Sequence, residues 1–220
     1  MASRYTTIIF DLDGTLMNTL EDLAISANYA LRQMHFPSRS VAEVCAFVGN
    51  GVRKLIERAV PAGTTAEELE ATFCHFREHY AIHCKDHSAP YNGIIRLLEG
   101  LAEGNYKMAI VSNKPDKEVK NLNGQFFSQY ISVAMGENEK GGIPKKPAPE
   151  MVFAAMRELG SSPAECLYVG DSDVDIQTAR NAGIDCLSVA WGFRSAEFLL
   201  QNGATHVIDE PSQMQAFLAK

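Results

Sequence analysis

The chain has 220 residues, 46% of them hydrophobic, which suits one large domain or a main domain with a smaller appendage. A net charge of −7, with no clustered basic stretch, argues against a nucleic-acid partner, because binding to a phosphate backbone needs a concentrated basic surface. The five cysteines, Cys45, Cys74, Cys84, Cys166 and Cys186, form no C-x-x-C pair and no apolar run is long enough to span a bilayer; neither a disulfide framework, a structural zinc site nor a membrane protein is expected, and a soluble cytoplasmic protein is.

The first predicted element is the strand TTIIF, ending at Phe10 and followed at once by Asp11, Asp13 and Gly14. Aspartate forms strands poorly and is costly to bury, so two of them at a strand end need a compensating partner. Helical periodicity then runs on without a clear strand. In TLEDLAISANYALRQM, Leu20, Leu23, Ala24, Ala27, Leu31 and Met34 keep the spacing of one buried helix face. A second helix starts at the capping box Thr65 to Glu68 and carries Leu69, Phe73, Phe76 and Tyr80 on one stripe. His75, His79, His83 and His87 recur every four residues, as a metal clip would, but they lie beside that stripe without carboxylates at ligand spacing, and no metal is assigned to them.

From APYNGI onward the apolar runs KMAIVS, ISVAM, CLYVG, CLSVA and THVI alternate with mostly helix-like segments. SPAE from Ser162 to Glu165 reads as a capping box with Pro163 at the first helical position, and Gly183 as a helix stop. The pattern predicts an α/β fold: a Rossmann-like parallel sheet core with helices on both faces, from residues 1–16 and 87–220, and an inserted all-helical cap domain over 17–86.

Ligands of open α/β sheets bind beyond the carboxyl ends of the strands. There KMAIVSNK ends in Ser112 and Asn113, able to donate to phosphate oxygens, and CLYVGDSDVD ends in Asp171, Asp173 and Asp175. IPKKPAPEM sets lysines just before a helix-opening proline. Two carboxylate clusters, Asp11/Asp13 and Asp171/Asp175, would repel unless a cation lay between them, and oxygen-only ligands favour Mg²⁺. Metal, lysine and hydroxyl together suit a phosphoryl group, with an aspartyl phosphate if an aspartate is the nucleophile.

These residues resemble the four motifs of the haloacid dehalogenase superfamily, and within it the phosphoglycolate phosphatase branch. DLDGTL is similar to the first motif, the serine of VSN to the second, the lysine of KKPAPE to the third and GDSDVD to the fourth. The resemblance implies Asp11 as nucleophile, Asp13 as general acid and base, and Ser112 and Lys146 as the other catalytic residues, Lys145 being the alternative lysine. It implies Mg²⁺ held by Asp11, the Asp13 carbonyl and Asp171, with Asp175 behind them and Asp173 in solvent. Gly14, Thr15 and Asn113 are expected at the substrate. FVGNGVRKLIERAV resembles the specificity loop of helical caps, which adds Gly49, Gly51, Arg53 and Lys54. Asn18 and Thr19 stand where the family usually has Asp-Ser. The implied function is hydrolysis of a small phosphomonoester, 2-phosphoglycolate foremost, by a monomer or homodimer. Sugar phosphates, nucleotides and pyrophosphate are alternative substrates, and phosphomutase chemistry an alternative reaction.

Overall fold

The computed structural model describes residues 3–219. In chain order, β1 (Thr7–Phe10) leads to β2 (Met17–Asn18), then to the helices α1 (Leu20–Gln33), α2 (Val41–Phe47), α3 (Val52–Ala59) and α4 (Ala66–His83). After β3 (Ala89–Pro90) come α5 (Ile94–Glu103), β4 (Lys107–Pro115), α6 (Asp116–Phe126), β5 (Val133–Glu137) and α7 (Glu150–Leu159). The chain closes with β6 (Cys166–Gly170), α8 (Asp173–Ala182), β7 (Asp185–Val189), α9 (Ala196–Gln201), β8 (Val207–Ile208) and α10 (Gln213–Leu218). It divides into two compact units, Met1–Met17 with Pro90–Lys220, and Asn18–Ala89.

The larger unit is built on a parallel sheet in the order β5-β4-β1-β6-β7-β8. Each expected apolar run supplies one of these strands. A strand covered on both faces has no reason to alternate polar and apolar residues, and TIIF does not. Ile8 and Phe10 enter the cluster containing Leu98, Ile110, Phe127 and Val169, while Ile9 enters the opposite cluster with Val111, Val152 and Tyr168. Each of these buried side chains contributes roughly 1.5–3 kcal/mol. From β1 the strand order runs through β4 and β5 one way and through β6, β7 and β8 the other, so β1 stands at the reversal where open sheets bind ligands.

One expected helix is shorter than its sequence signal. SPAE forms only the 3₁₀ turn Pro163–Glu165, because β6 begins at Cys166 and leaves no room for α-helical turns. The Glu165 carboxylate still accepts from the Ser162 N–H at 2.7 Å. Gly183 does end α8, in the left-handed conformation. β2 and β3 pair in a separate two-stranded sheet, too short to leave a periodic signal. No helix among the described residues is long and apolar enough to cross a membrane.

The smaller unit packs Leu23, Ala27 and Leu31 of α1 against Phe76 and Tyr80 of α4, with Val44, Leu55 and Ile56 closing the core. His79 stacks on Tyr29 with ring centroids 4.2 Å apart and its Nδ1 lies 3.0 Å from Ser26 Oγ; the next ring along, His83, bonds Asp86. Asp22, in the first turn of α1, is buried rather than solvated. It accepts from the Ser88 N–H at 2.8 Å, the Ser88 hydroxyl at 2.6 Å and the His87 N–H at 3.0 Å, with His87 Nδ1 2.8 Å away. Burial pushes this carboxyl up, but the donors of Ser88 and His87 outweigh it and hold its pKa below the ordinary value.

Asp22 thus contributes stability that is complete above its unfolded pKa and is lost as the pH falls through its lower folded value. Asp22→Asn is expected to destabilise the smaller unit by about 1–3 kcal/mol at neutral pH, with the gap from wild type narrowing in thermal melts as the pH drops below 3.8. His87, raised by its bond to Asp22, contributes in the opposite sense, fully below 6.5 and less as the pH rises through its folded value.

Candidate active site

Three adjacent strand ends converge on one edge of the sheet. Asp11 follows β1, Ser112, Asn113 and Lys114 close β4, and Asp171 follows β6. Carboxylate oxygens of Asp11, Asp171 and Asp175 all lie within 4.8 Å of one another, and all three residues are buried. One buried ammonium stands among them: Lys146 Nζ is 2.9 Å from Asp11 Oδ1 and 2.7 Å from Asp175 Oδ1. Lys145 instead pairs with Glu139 at 2.7 Å, so Lys146 is the lysine of the site.

The charge balance is unfavourable as it stands. Burial pushes Asp11 up to about 7 against the pull of Lys146, with Asp175 and Asp13 adding to the rise. Burial likewise pushes Asp171 well up, helped by Asp175 and Asp11 and opposed by donors from Phe193 and Thr15. For Lys146, burial alone would favour the neutral amine, but Asp11 and Asp175 outweigh it and keep the ammonium. Asp11 Oδ1 is buried, and its close approach to Lys146 lacks the alignment of a hydrogen bond. Crowded carboxylate oxygens, one of them unsatisfied, fit a hard divalent cation.

Asp171 is fixed by its neighbours. The Thr15 hydroxyl donates to Oδ1 at 3.1 Å, the Phe193 N–H to Oδ2 at 2.7 Å, and Trp191 Nε1 steadies the turn by donating to the Thr15 carbonyl at 2.9 Å. Gly14 has φ +90°, and a Cβ there would stand 2.3 Å from Asp171 Oδ2. Gly192 closes the other side, where a Cβ would meet the Gly14 carbonyl at 2.3 Å. Gly14 and Thr15, both expected at the substrate, take part in this packing: the Gly14 N–H donates to the Met17 carbonyl at 2.8 Å and the Thr15 hydroxyl is turned to Asp171.

The Asn113 side chain is engaged within the protein. Its Oδ1 accepts from the Lys146 N–H at 2.8 Å and its Nδ2 donates to the Lys146 carbonyl at 3.1 Å, so the amide positions the lysine's backbone. Asp175 caps α8: it accepts from the Ser172 hydroxyl at 2.6 Å and the Ser172 N–H at 3.1 Å while holding Lys146. It also offers a carboxylate oxygen to the group it forms with Asp11 and Asp171. Asp173 is the partly exposed first residue of α8. Ser112 is buried at the edge of the site, its Oγ accepting from the Lys114 N–H at 3.3 Å.

Two participants escaped the sequence reading. Lys114 Nζ bonds both oxygens of Asp13, at 2.9 and 3.1 Å. Tyr168 OH lies 3.1 Å from Lys146 Nζ and donates to the Val111 carbonyl at 3.1 Å, supporting the lysine from below the site. Strand alternation was the available signal for Lys114, since it lies two residues beyond Ser112.

In the smaller unit, Gly49 and Gly51 flank a loop with φ of +125° and +84°. Arg58 braces that loop, donating to the Phe47 carbonyl and to Asn50 Oδ1, each at 2.7 Å. The cations expected to await a substrate carboxylate already have partners. Arg53 pairs with Glu70 at 2.8 Å and with Glu57 at 3.5 Å, and Lys54 pairs with Glu57 at 2.7 Å. Exposed pairs of this kind are worth about 0–1 kcal/mol each and can exchange.

A family model described as haloacid dehalogenase-like hydrolase matches residues 8–189. The phosphoglycolate phosphatase of Thiobacillus denitrificans is 32% identical over 192 residues, covering 84% of this chain and 83% of its own. That of Haemophilus influenzae is 30% identical, covering 99% of this chain and 100% of its own. Among solved structures, one from Lactobacillus delbrueckii subsp. bulgaricus, provisionally described as a phosphoglycolate phosphatase, superposes with a TM-score of 0.92 at 34% identity, over 98% of this chain and 99% of that one.

Gly14→Ala is expected to cost about 1–3 kcal/mol from backbone strain alone, with a further loss from displacing Asp171. Urea denaturation of the two proteins measures it.

Proposed function

Because the chain belongs to the haloacid dehalogenase-like hydrolase family, we propose that it is a Mg²⁺-dependent phosphomonoesterase acting through phospho-Asp11, with 2-phosphoglycolate as the leading substrate. The observation that carries this reading is the meeting of Asp11, Asp171 and Lys146 at the sheet edge, with Asp13 outside the carboxylate cluster and bonded to Lys114. The name shared by the relatives supports the substrate.

Asp11, Asp171 and the Asp13 carbonyl would hold the metal, with Asp175 behind them. When bound, Mg²⁺ would neutralise the crowded carboxylates and stabilise negative charge on the phosphoryl oxygens. Lys146 and Ser112 bind the same phosphoryl oxygens. An Asp11 carboxylate oxygen forms a bond to phosphorus as the bond from phosphorus to the ester oxygen breaks. The departing oxygen keeps that electron pair and takes the proton of the Asp13 carboxyl. In the second step the Asp13 carboxylate removes a proton from water, whose oxygen bonds to phosphorus. The acyl-phosphate bond then breaks, the Asp11 carboxylate is regenerated, and phosphate leaves with Asp13 protonated again.

Asp11→Asn is expected to reduce Mg²⁺-dependent phosphate release by at least about a thousandfold, measured by a phosphate assay; full activity in that variant would overturn the mechanism. Chelation with EDTA should abolish release and added Mg²⁺ restore it.

The specificity role of Arg53 is part of the same proposal. On a phosphomonoester panel that includes 2-phosphoglycolate, Arg53→Ala should lower kcat/KM about tenfold for carboxylated esters and little for the others. A uniform effect across the panel removes Arg53 from substrate recognition.

A further inference from the structure

Lys114 has no place in the mechanism so far, yet it is the more deeply buried member of its ion pair, its side chain 1% exposed against 15% for Asp13. Burying an ammonium is costly unless a charged partner receives it, and here the Asp13 carboxylate does so with both oxygens. Gripping both oxygens also limits rotation of the carboxylate about its own axis, which a single hydrogen bond would allow. The ammonium is delivered from β4, the strand beside β1, and its main chain is tied to Ser112 Oγ. The Asp13 carboxylate is meanwhile kept out of the group formed by Asp11, Asp171 and Asp175.

We propose that Lys114 is a positioning residue that holds the Asp13 carboxyl on the leaving-group side of phosphorus, where it gives its proton to the departing ester oxygen. The inference rests on the phosphatase reading above. It adds that loss of Lys114 harms the step in which the P–O bond breaks and the oxygen is protonated, in proportion to the leaving group's need for that proton. A poor leaving group, such as an alkoxide, needs it most. A nitrophenolate or carboxylate carries its own charge and needs it least.

The test is kcat/KM for acetyl phosphate, p-nitrophenyl phosphate, phenyl phosphate and 2-phosphoglycolate, with wild type, Lys114→Met, Lys114→Gln and Lys114→Arg. Because kcat/KM reports the steps up to departure of the first product, its dependence on leaving-group acidity isolates the proton donation. Lys114→Met and Lys114→Gln are expected to lose at least about tenfold more on the two poorer leaving groups than on the two better ones, and Lys114→Arg to recover part of that difference. Equal losses on all four substrates, or none, would overturn the inference while leaving the phosphatase reading intact. A wild type that releases phosphate from none of the four overturns both.

Discussion

Three carboxylates buried within 4.8 Å of one another are the constraint around which the larger unit is arranged. Such a group is unstable as a set of anions in a medium that screens poorly. Every neighbouring feature bears on it. Lys146 supplies one positive charge inside the cluster, Thr15 and the Phe193 N–H satisfy Asp171, and Ser172 satisfies Asp175. These donors reduce the repulsion without removing it, and that residue of negative charge is what gives the site its demand for a divalent cation.

The sheet makes such crowding possible. Parallel strands place their carboxyl ends along one edge, so residues far apart in sequence meet without long supporting loops. At that edge the packing leaves no clearance for a side chain on Gly14 or Gly192, and the backbone itself becomes the wall behind Asp171. Asp13 is treated differently. It follows Asp11 by two residues, yet its carboxylate lies outside the cluster and is bonded by Lys114.

Much of this was legible in the sequence, for identifiable physical reasons. The strands announce themselves because a sheet covered on both faces selects short unbroken apolar runs, and the first helix of the smaller unit because one face is buried. The acidic ends of β1 and β6 stand out because aspartate is unexpected there. What the sequence hides is pairing across distance. Asp22 looks like an ordinary acid in a first helical turn, where it would favour the helix dipole, and its partners at His87 and Ser88 lie 65 and 66 residues away. Lys114 was obscured in another way: β4 continues to Pro115, beyond the polar pair at which the apolar run stops. A hydroxyl or amide in a motif can face either way, and only the fold shows that the Thr15 side chain bonds Asp171 and the Asn113 side chain bonds the Lys146 main chain.

The two bonds between Asn113 and the Lys146 main chain are part of a wider anchorage. Asn181 holds the next carbonyl, that of Pro147, at 2.8 Å, so the lysine's peptide is pinned between the end of β4 and α8. The lysine's main chain is thus tied to two elements of the larger unit that are separated in sequence, and the segment leading up to it adds a third anchor where Ile143 packs against the core beside Val133 and Met151. A charge carried on a connecting segment is thereby given the fixity of the sheet and helix on either side of it.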